Sequence, residues 1–175
     1  FVTDLSGNLV AGFGYLRGDP FSYEIFVYRI DEGRMEVYTP KEGSVNRMPR
    51  IRDGRIYFVS DFEDLDKQRL YVYDPEAKTL QRVSFPFKDF EEDSPSQIVD
   101  FGWDDAGRMW VLAMVDGRSR LYVEGRRVPL PPGTLSAVYI YRGVAYASYS
   151  SLKQPPKIVA IDVESGKTET LVDNR

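Results

Sequence analysis

The sequence predicts an all-β chain, a β-propeller fragment of about four consecutive four-stranded antiparallel blades. One order of segments occurs four times in 175 residues: a strand-like run, a Gly turn, a second run, a loop, a third run, a turn and a short fourth run. The copies recur at roughly 40 residues, the length of one blade. The middle runs of each copy are nearly continuous apolar sequence, whereas the last alternates polar and apolar residues. No long window keeps a helical period.

The first copy, residues 1–40, places runs at 1–5, 9–16, 24–30 and 35–39, with turns at Gly7-Asn8 and Glu32-Gly33. The second, residues 45–84, runs through 46–51, turns at Arg52-Asp53-Gly54-Arg55, and continues through 56–59, 69–73 and 80–83. The third, residues 96–131, has runs at 98–103, 109–115, 120–123 and 127–130 around the turn Asp105-Ala106-Gly107-Arg108. The fourth, residues 135–172, has runs at 137–141, 144–149, 157–162 and 168–172, with turns at Arg142-Gly143 and Ser165-Gly166. Third runs such as Leu70-Tyr71-Val72-Tyr73 and Ile158-Val159-Ala160-Ile161 require burial on both faces. Fourth runs such as Leu80-Gln81-Arg82-Val83 suit an outer strand with one face in water. Gly7, Gly54, Gly107 and Gly143 stand where tight hairpins need positive φ.

Composition narrows the function classes. The net charge of -4 and the lack of a basic block argue against a nucleic-acid surface. No run of about 18 apolar residues suits a membrane-spanning helix, and no charged-then-apolar leader opens the chain, so the expectation is a cytoplasmic protein without membrane contact. With no Cys there is no disulfide, thiol nucleophile or thiolate metal site. With no His there is no Ser-His-Asp relay and no His-based metal centre. The chain itself is therefore expected to be non-catalytic, with no cofactor and no metal.

The local motifs read structurally. Gly12-Phe13-Gly14 lacks the third glycine and following helix of a phosphate loop, and reads as a strand with close backbone packing. Ser150-Ser151-Leu152-Lys153 has an S-x-x-K spacing without its companion motifs, and Gln154-Pro155-Pro156 makes the segment a rigid connection between strands. Asp61, Glu63, Asp64 and Asp66 crowd one loop but lack the order of a calcium loop, and read as a solvated acidic segment. Trp103-Asp104 ends a first run instead of closing a third, so it does not mark a WD40 blade. Phe85, Phe87 and Phe90 fall in the longest interruption between copies. They either cap the core or form a docking surface for another domain or substrate, and are the candidate contact residues.

The chain resembles the propeller of archaeal acylaminoacyl peptidases, in the prolyl oligopeptidase family of serine peptidases. The resemblance rests on Phe1-Val2-Thr3-Asp4-Leu5 with Leu9-Val10-Ala11-Gly12-Phe13-Gly14, on Lys88-Asp89-Phe90, and on Tyr149-Ser150-Ser151-Leu152 with Pro155-Pro156-Lys157-Ile158-Val159. It implies a seven-bladed lid over an α/β-hydrolase carrying Ser, Asp and His, of which this chain supplies roughly the last four blades. The hydrolase would begin past residues 173–175. G-x-S-x-G is absent, so none of that machinery is carried onto a residue here. The implied role is to gate a neighbouring active site that releases N-acylated amino acids from short peptides. The implied partners are the hydrolase domain of the same parent chain and short acylated peptides. Cutting a closed ring also exposes apolar blade faces, from which self-association of the chain is expected. The rival reading is an independent interaction propeller using the loops at 61–66 and 85–94. A third is a sugar or metabolite binder at the ring centre.

Overall fold

The computed structural model describes residues 1–84 and 97–173. Two compact units divide the chain, residues 1–84 and 85–175, and each holds two four-stranded antiparallel sheets in sequential order. Among the described residues no helix is long and apolar enough to cross a membrane.

The first unit contains β1 (Val2–Ser6), β2 (Leu9–Gly14), β3 (Glu24–Arg29) and β4 (Arg34–Tyr38), then β5 (Asn46–Arg52), β6 (Arg55–Ser60), β7 (Arg69–Asp74) and β8 (Thr79–Arg82). Strand alternation sends Ala11, Ile25 and Val27 to one face of the first sheet. They pack against Ile51, Ile56, Phe58, Tyr71 and Tyr73 of the second. Gly12 lies on the other face. A Cβ there would stand 2.2 Å from the Phe1 carbonyl oxygen and 2.4 Å from the Phe26 ring, which accounts for the glycine without any phosphate-binding role.

The second unit contains β9 (Gln97–Trp103), β10 (Met109–Val115), β11 (Arg118–Val123) and β12 (Arg126–Arg127), then β13 (Thr134–Tyr141), β14 (Val144–Ser151), β15 (Gln154–Asp162) and β16 (Thr168–Asp173). Trp110, Leu112, Leu121 and Val123 pack against Leu135, Val138, Ile140, Ala145, Ala147, Val159 and Ile161. Burial is deepest in β10, whereas every residue of the outer strand β16 is exposed. The third run of the fourth copy departs from the expected burial on both faces, since Val159 and Ile161 are buried but Ile158 on the opposite face is 41% exposed.

Repetition extends to details finer than the strands. All four first strands, β1, β5, β9 and β13, carry a β-bulge, which bends and twists a strand locally. In β5 and β13 the bulge holds Met48 and Ala137 at φ of 53° and 52°. Asp74 and Asp162 close equivalent third-to-fourth-strand turns. Asp74 accepts from the backbone N–H of Glu76 and Ala77, and Asp162 from Glu164 and Ser165. Those donors, led by Ala77 and Ser165, hold both carboxyls below their usual range.

Three elements differ from the sequence expectation. β12 stops at Arg127 instead of running to residue 130: Val128 still donates its N–H to the Leu121 carbonyl, but past it the proline-rich segment leaves the ladder and Ser119 gives its N–H to Gly133 instead. β13 begins at Thr134, ahead of the expected 137, because its bulge breaks the alternation that marks a strand. Pro155 and Pro156 lie inside β15 and do not form a connection. The turn is the two residues between Ser151 and Gln154, and the prolines occupy a bulge that β16 does not reach.

Candidate functional site

In an antiparallel meander the starts of the first and third strands share an edge with the ends of the second and fourth. In the first unit this edge holds a buried polar cluster of Ser22, Glu24, Ser44, Asn46, Ser60 and Asp61. Asn46 is its centre. Its backbone N–H and its Nδ2 both donate to the Tyr23 carbonyl, at 3.1 and 2.8 Å. Nδ2 also reaches Ser44 Oγ at 3.0 Å, and Ser60 Oγ donates to Asn46 Oδ1 at 2.6 Å. Glu24 accepts from Ser22 Oγ at 2.7 Å and from the Leu16 N–H at 3.0 Å. Buried polar groups cost about 1–3 kcal/mol each when left unpaired, so satisfied bonds here fix the seam between β3 and β5. A parallel bridge from Tyr23 to Val45 adds to it.

Aromatic rings line the same edge. Phe1, Phe13, Tyr23 and Tyr15 follow one another at centroid separations of 5.5, 5.7 and 4.4 Å. The Tyr15 hydroxyl donates to that of Tyr23 at 2.7 Å, and this bond is the main cause raising the Tyr15 phenol above its ordinary pKa. At the opposite edge of the unit Asp4 Oδ2 accepts the Ile51 N–H at 2.7 Å.

The second unit builds the corresponding seam from different residues. Thr134 and Ser150 pair across β13 and β14 as Asn46 and Ser60 pair across β5 and β6, with their hydroxyl oxygens 2.9 Å apart. Ser119, at the start of β11, donates its N–H to the Gly133 carbonyl at 2.9 Å and accepts the Leu135 N–H on its Oγ at 2.8 Å. The Tyr149 hydroxyl donates to the Pro132 carbonyl at 2.5 Å. In both units the start of a third strand is thus tied to the start of the next sheet.

The sequence candidates take these positions. Phe85, Phe87 and Phe90 lie outside the described residues. Asp61 is buried and accepts the Val45 N–H at 2.8 Å, which places it in the seam and not in a solvated loop; Asp64 is engaged by the Asp66 N–H and by Lys67. Among the described residues no group of three or more acidic side chains converges as a metal site would require. Asp104 of the Trp-Asp pair is a turn residue, accepting from the N–H groups of Ala106 and Arg108 and from Arg108 Nε at 2.7 Å. Ser150 of the S-x-x-K spacing is bonded to Thr134, while Lys153 lines a recess of about 230 Å³ with Lys157 and Asp173 that Ser150 does not line. Sequence reasoning misses the seam residues because isolated polar residues at strand ends resemble loop residues. Their signal is the matched polar pair in the second and fourth copies.

The arrangement is one of four-stranded sheets tied to one another in pairs by buried hydrogen bonds. Residues 1–159 match the model of the N-terminal domain of the acylamino-acid-releasing enzyme-like family. The chain belongs to this family. The acylamino-acid-releasing enzyme-like domain is also similar in fold to a Mycobacterium tuberculosis puromycin-hydrolyzing peptidase, with a TM-score of 0.72 and 16% identity over 98% of this chain and 28% of that one. It is similar to prolyl oligopeptidase B from Galerina marginata, with a TM-score of 0.70 and 10% identity over 95% of this chain and 25% of that one. TolB from Acinetobacter baumannii gives a TM-score of 0.64 and 13% identity over 95% of this chain and 41% of that one. The fold is therefore a β-propeller fragment of four antiparallel blades. The domain spans between a quarter and two fifths of the length of these three structures.

Proposed function

We propose that this domain is the non-catalytic, substrate-gating part of a cytoplasmic serine peptidase that releases N-acylated amino acids from short peptides. The observation that carries the reading is the family match over residues 1–159, which reaches into all four sheets. The hydrogen-bonded seams support it, because a gate that excludes folded proteins must resist separation of its blades. The partner in this reading is an α/β-hydrolase domain of the same parent chain, with Phe85, Phe87 and Phe90 contacting it or the substrate. The test is hydrolysis of an N-acetylated peptide series of rising length by the parent protein, alone and after weakening the seam with Asn46→Ala. Short peptides are expected to be cleaved by both, and longer ones to be gained by the variant. A length profile unchanged by the variant, or no cleavage of acylated over free peptides, would overturn the reading.

The reading extends to the isolated chain. Tyr139, Tyr141, Tyr146, Ile158 and Val172 share an exposed sheet face in the second unit, Tyr139 being 78% exposed. Contiguous apolar faces of this kind favour association. Light scattering of the isolated chain should report species larger than a monomer, and a monomer at all concentrations would contradict this.

A further inference from the structure

The early end of β12 leaves a cleft of about 370 Å³ against β11, lined by Arg118, Arg120 and Arg127 and walled by the segment through Pro131 and Pro132. The wall is held at both ends. Gly166 packs so closely on Pro129 that a Cβ would stand 2.1 Å from its carbonyl oxygen. At the other end Tyr149 donates to the Pro132 carbonyl, and Gly133 accepts the Ser119 N–H. The cleft is thus preformed within one unit. Its three arginines share one face of the sheet, since Arg118, Arg120 and Tyr122 alternate along β11 and Tyr122 pairs with Arg127. None of the three forms an ion pair among the described residues. Among the described residues Asp116 is the one carboxylate in the lining.

We propose that this cleft binds an extended peptide bearing two carboxylates in an acid-x-acid pattern. Guanidinium groups stay charged at all accessible pH and pair carboxylates in a planar, two-bond geometry. Arg118 and Arg120 sit two residues apart on one strand, a repeat of roughly 6.6–6.8 Å. An extended peptide presents its own i and i+2 side chains at the same repeat, so both pairs form without distortion. Prolines on the far wall supply an apolar surface and, having no N–H, demand no backbone acceptor from the guest. The site is independent of the gating role, because it lies on the outer strands of a single sheet and needs no catalytic domain.

The test uses the protein that carries this chain, titrated with Ac-Glu-Ala-Glu-NH2, Ac-Gln-Ala-Gln-NH2, Ac-Glu-Glu-NH2 and inorganic phosphate while the Arg Nε–H and backbone amide resonances of residues 116–133 are followed. Glu-Ala-Glu should shift them saturably, Gln-Ala-Gln should not, and Glu-Glu, whose side chains point to opposite sides, should bind more weakly. R118Q/R120Q should weaken Glu-Ala-Glu by at least about fivefold, with unchanged thermal unfolding because both side chains project from the sheet. R118E/R120E should lose that peptide and gain Ac-Lys-Ala-Lys-NH2. Equal response to the neutral peptide, retained affinity in R118Q/R120Q, or tighter binding of phosphate than of Glu-Ala-Glu would overturn the proposal.

Discussion

Tyr38 lies flat on Tyr73, with ring centroids 3.8 Å apart and planes 8° from parallel, and the Tyr73 hydroxyl donates to Glu36 Oε1 at 2.9 Å. β4 of one sheet thereby grips β7 of the next through a stack and a charge-assisted bond. Burial, and after it the Glu36 carboxylate, push the Tyr73 phenol well above its ordinary value; burial raises Tyr38 as well. An acid whose folded-state pKa is raised contributes stability that is complete below its unfolded value, about 10 for tyrosine. That contribution is lost as pH rises through the folded value. Stability should therefore decline from about pH 10 upward. Tyr73→Phe keeps the stack, costs about 1 kcal/mol at pH 7 through the lost bond, and makes the alkaline decline shallower. Denaturant midpoints at about pH 7 and about pH 10.5, on either side of the unfolded tyrosine value, check this for both proteins.

Asn46 is fully buried, and its side chain satisfies the Tyr23 carbonyl, Ser44 Oγ and Ser60 Oγ at once. Asn46→Ala removes three buried bonds, leaving the Tyr23 carbonyl its backbone donor alone and the Ser60 hydroxyl without its acceptor, and should lower stability by about 2–4 kcal/mol. Thr134→Val at the matching position removes one hydroxyl pair at a less buried site and should cost about 1 kcal/mol. Urea denaturation of the two variants measures the difference. Equal losses would show that the first unit's cluster contributes no more than the single pair.

Ala137 occupies the left-handed region at φ 52° in the β13 bulge and is exposed. A non-glycine residue there costs roughly 1–2 kcal/mol, part of which glycine returns through the entropy of the unfolded chain. Ala137→Gly should stabilise by about 0.5–1 kcal/mol, a rise readable in the thermal midpoint. A fall would mean that the Ala137 methyl makes a packing contribution its exposure does not suggest.

The blade period, the turn glycines and the buried middle strands are legible in the sequence because each leaves a mark in hydrophobic periodicity. Bulges at Met48 and Ala137 are not. A bulge inserts one residue into an alternating pattern, so it reads as the start or end of a run, and the pattern accordingly places β13 three residues late. The seam around Asn46 is illegible for a different reason: Ser22, Ser44 and Ser60 are scattered in sequence, and only folding brings them together. Pro129, Pro131 and Pro132 are plain in the sequence. Their meaning, a fourth strand cut to two residues and a cleft beside it, depends on where the chain leaves the ladder with β11. Two Phe-rich or acidic segments draw the functional expectation. Of these, residues 85–90 lie outside the described residues, and Asp61 serves the seam.

Gly166 links the fourth sheet's outer turn to the proline wall. Its φ is 74°, and a methyl added there would stand 2.1 Å from the Pro129 carbonyl oxygen, which leaves no room for a side chain. Gly166→Ala meets two penalties. The left-handed backbone costs about 1–2 kcal/mol, and overpacking against Pro129 costs about 1–3 kcal/mol unless the wall moves. The second penalty is relieved by displacing either the exposed turn at 164–167 or the segment from Pro129 to Pro132, and the latter is tied down by Tyr149. Gly166→Ala should therefore lower stability by about 2–4 kcal/mol and shift the amide resonances of Arg118, Ser119 and Arg120 across the cleft. Gly54→Ala serves as the control: its φ is 74° as well, but nothing lies within 4 Å of the added methyl. It should show the backbone cost alone and leave the cleft resonances in place. Equal losses in the two variants, with the cleft resonances shifted in Gly166→Ala, would show that the proline wall yields freely, and the cleft would then lack the rigid side on which its selectivity depends.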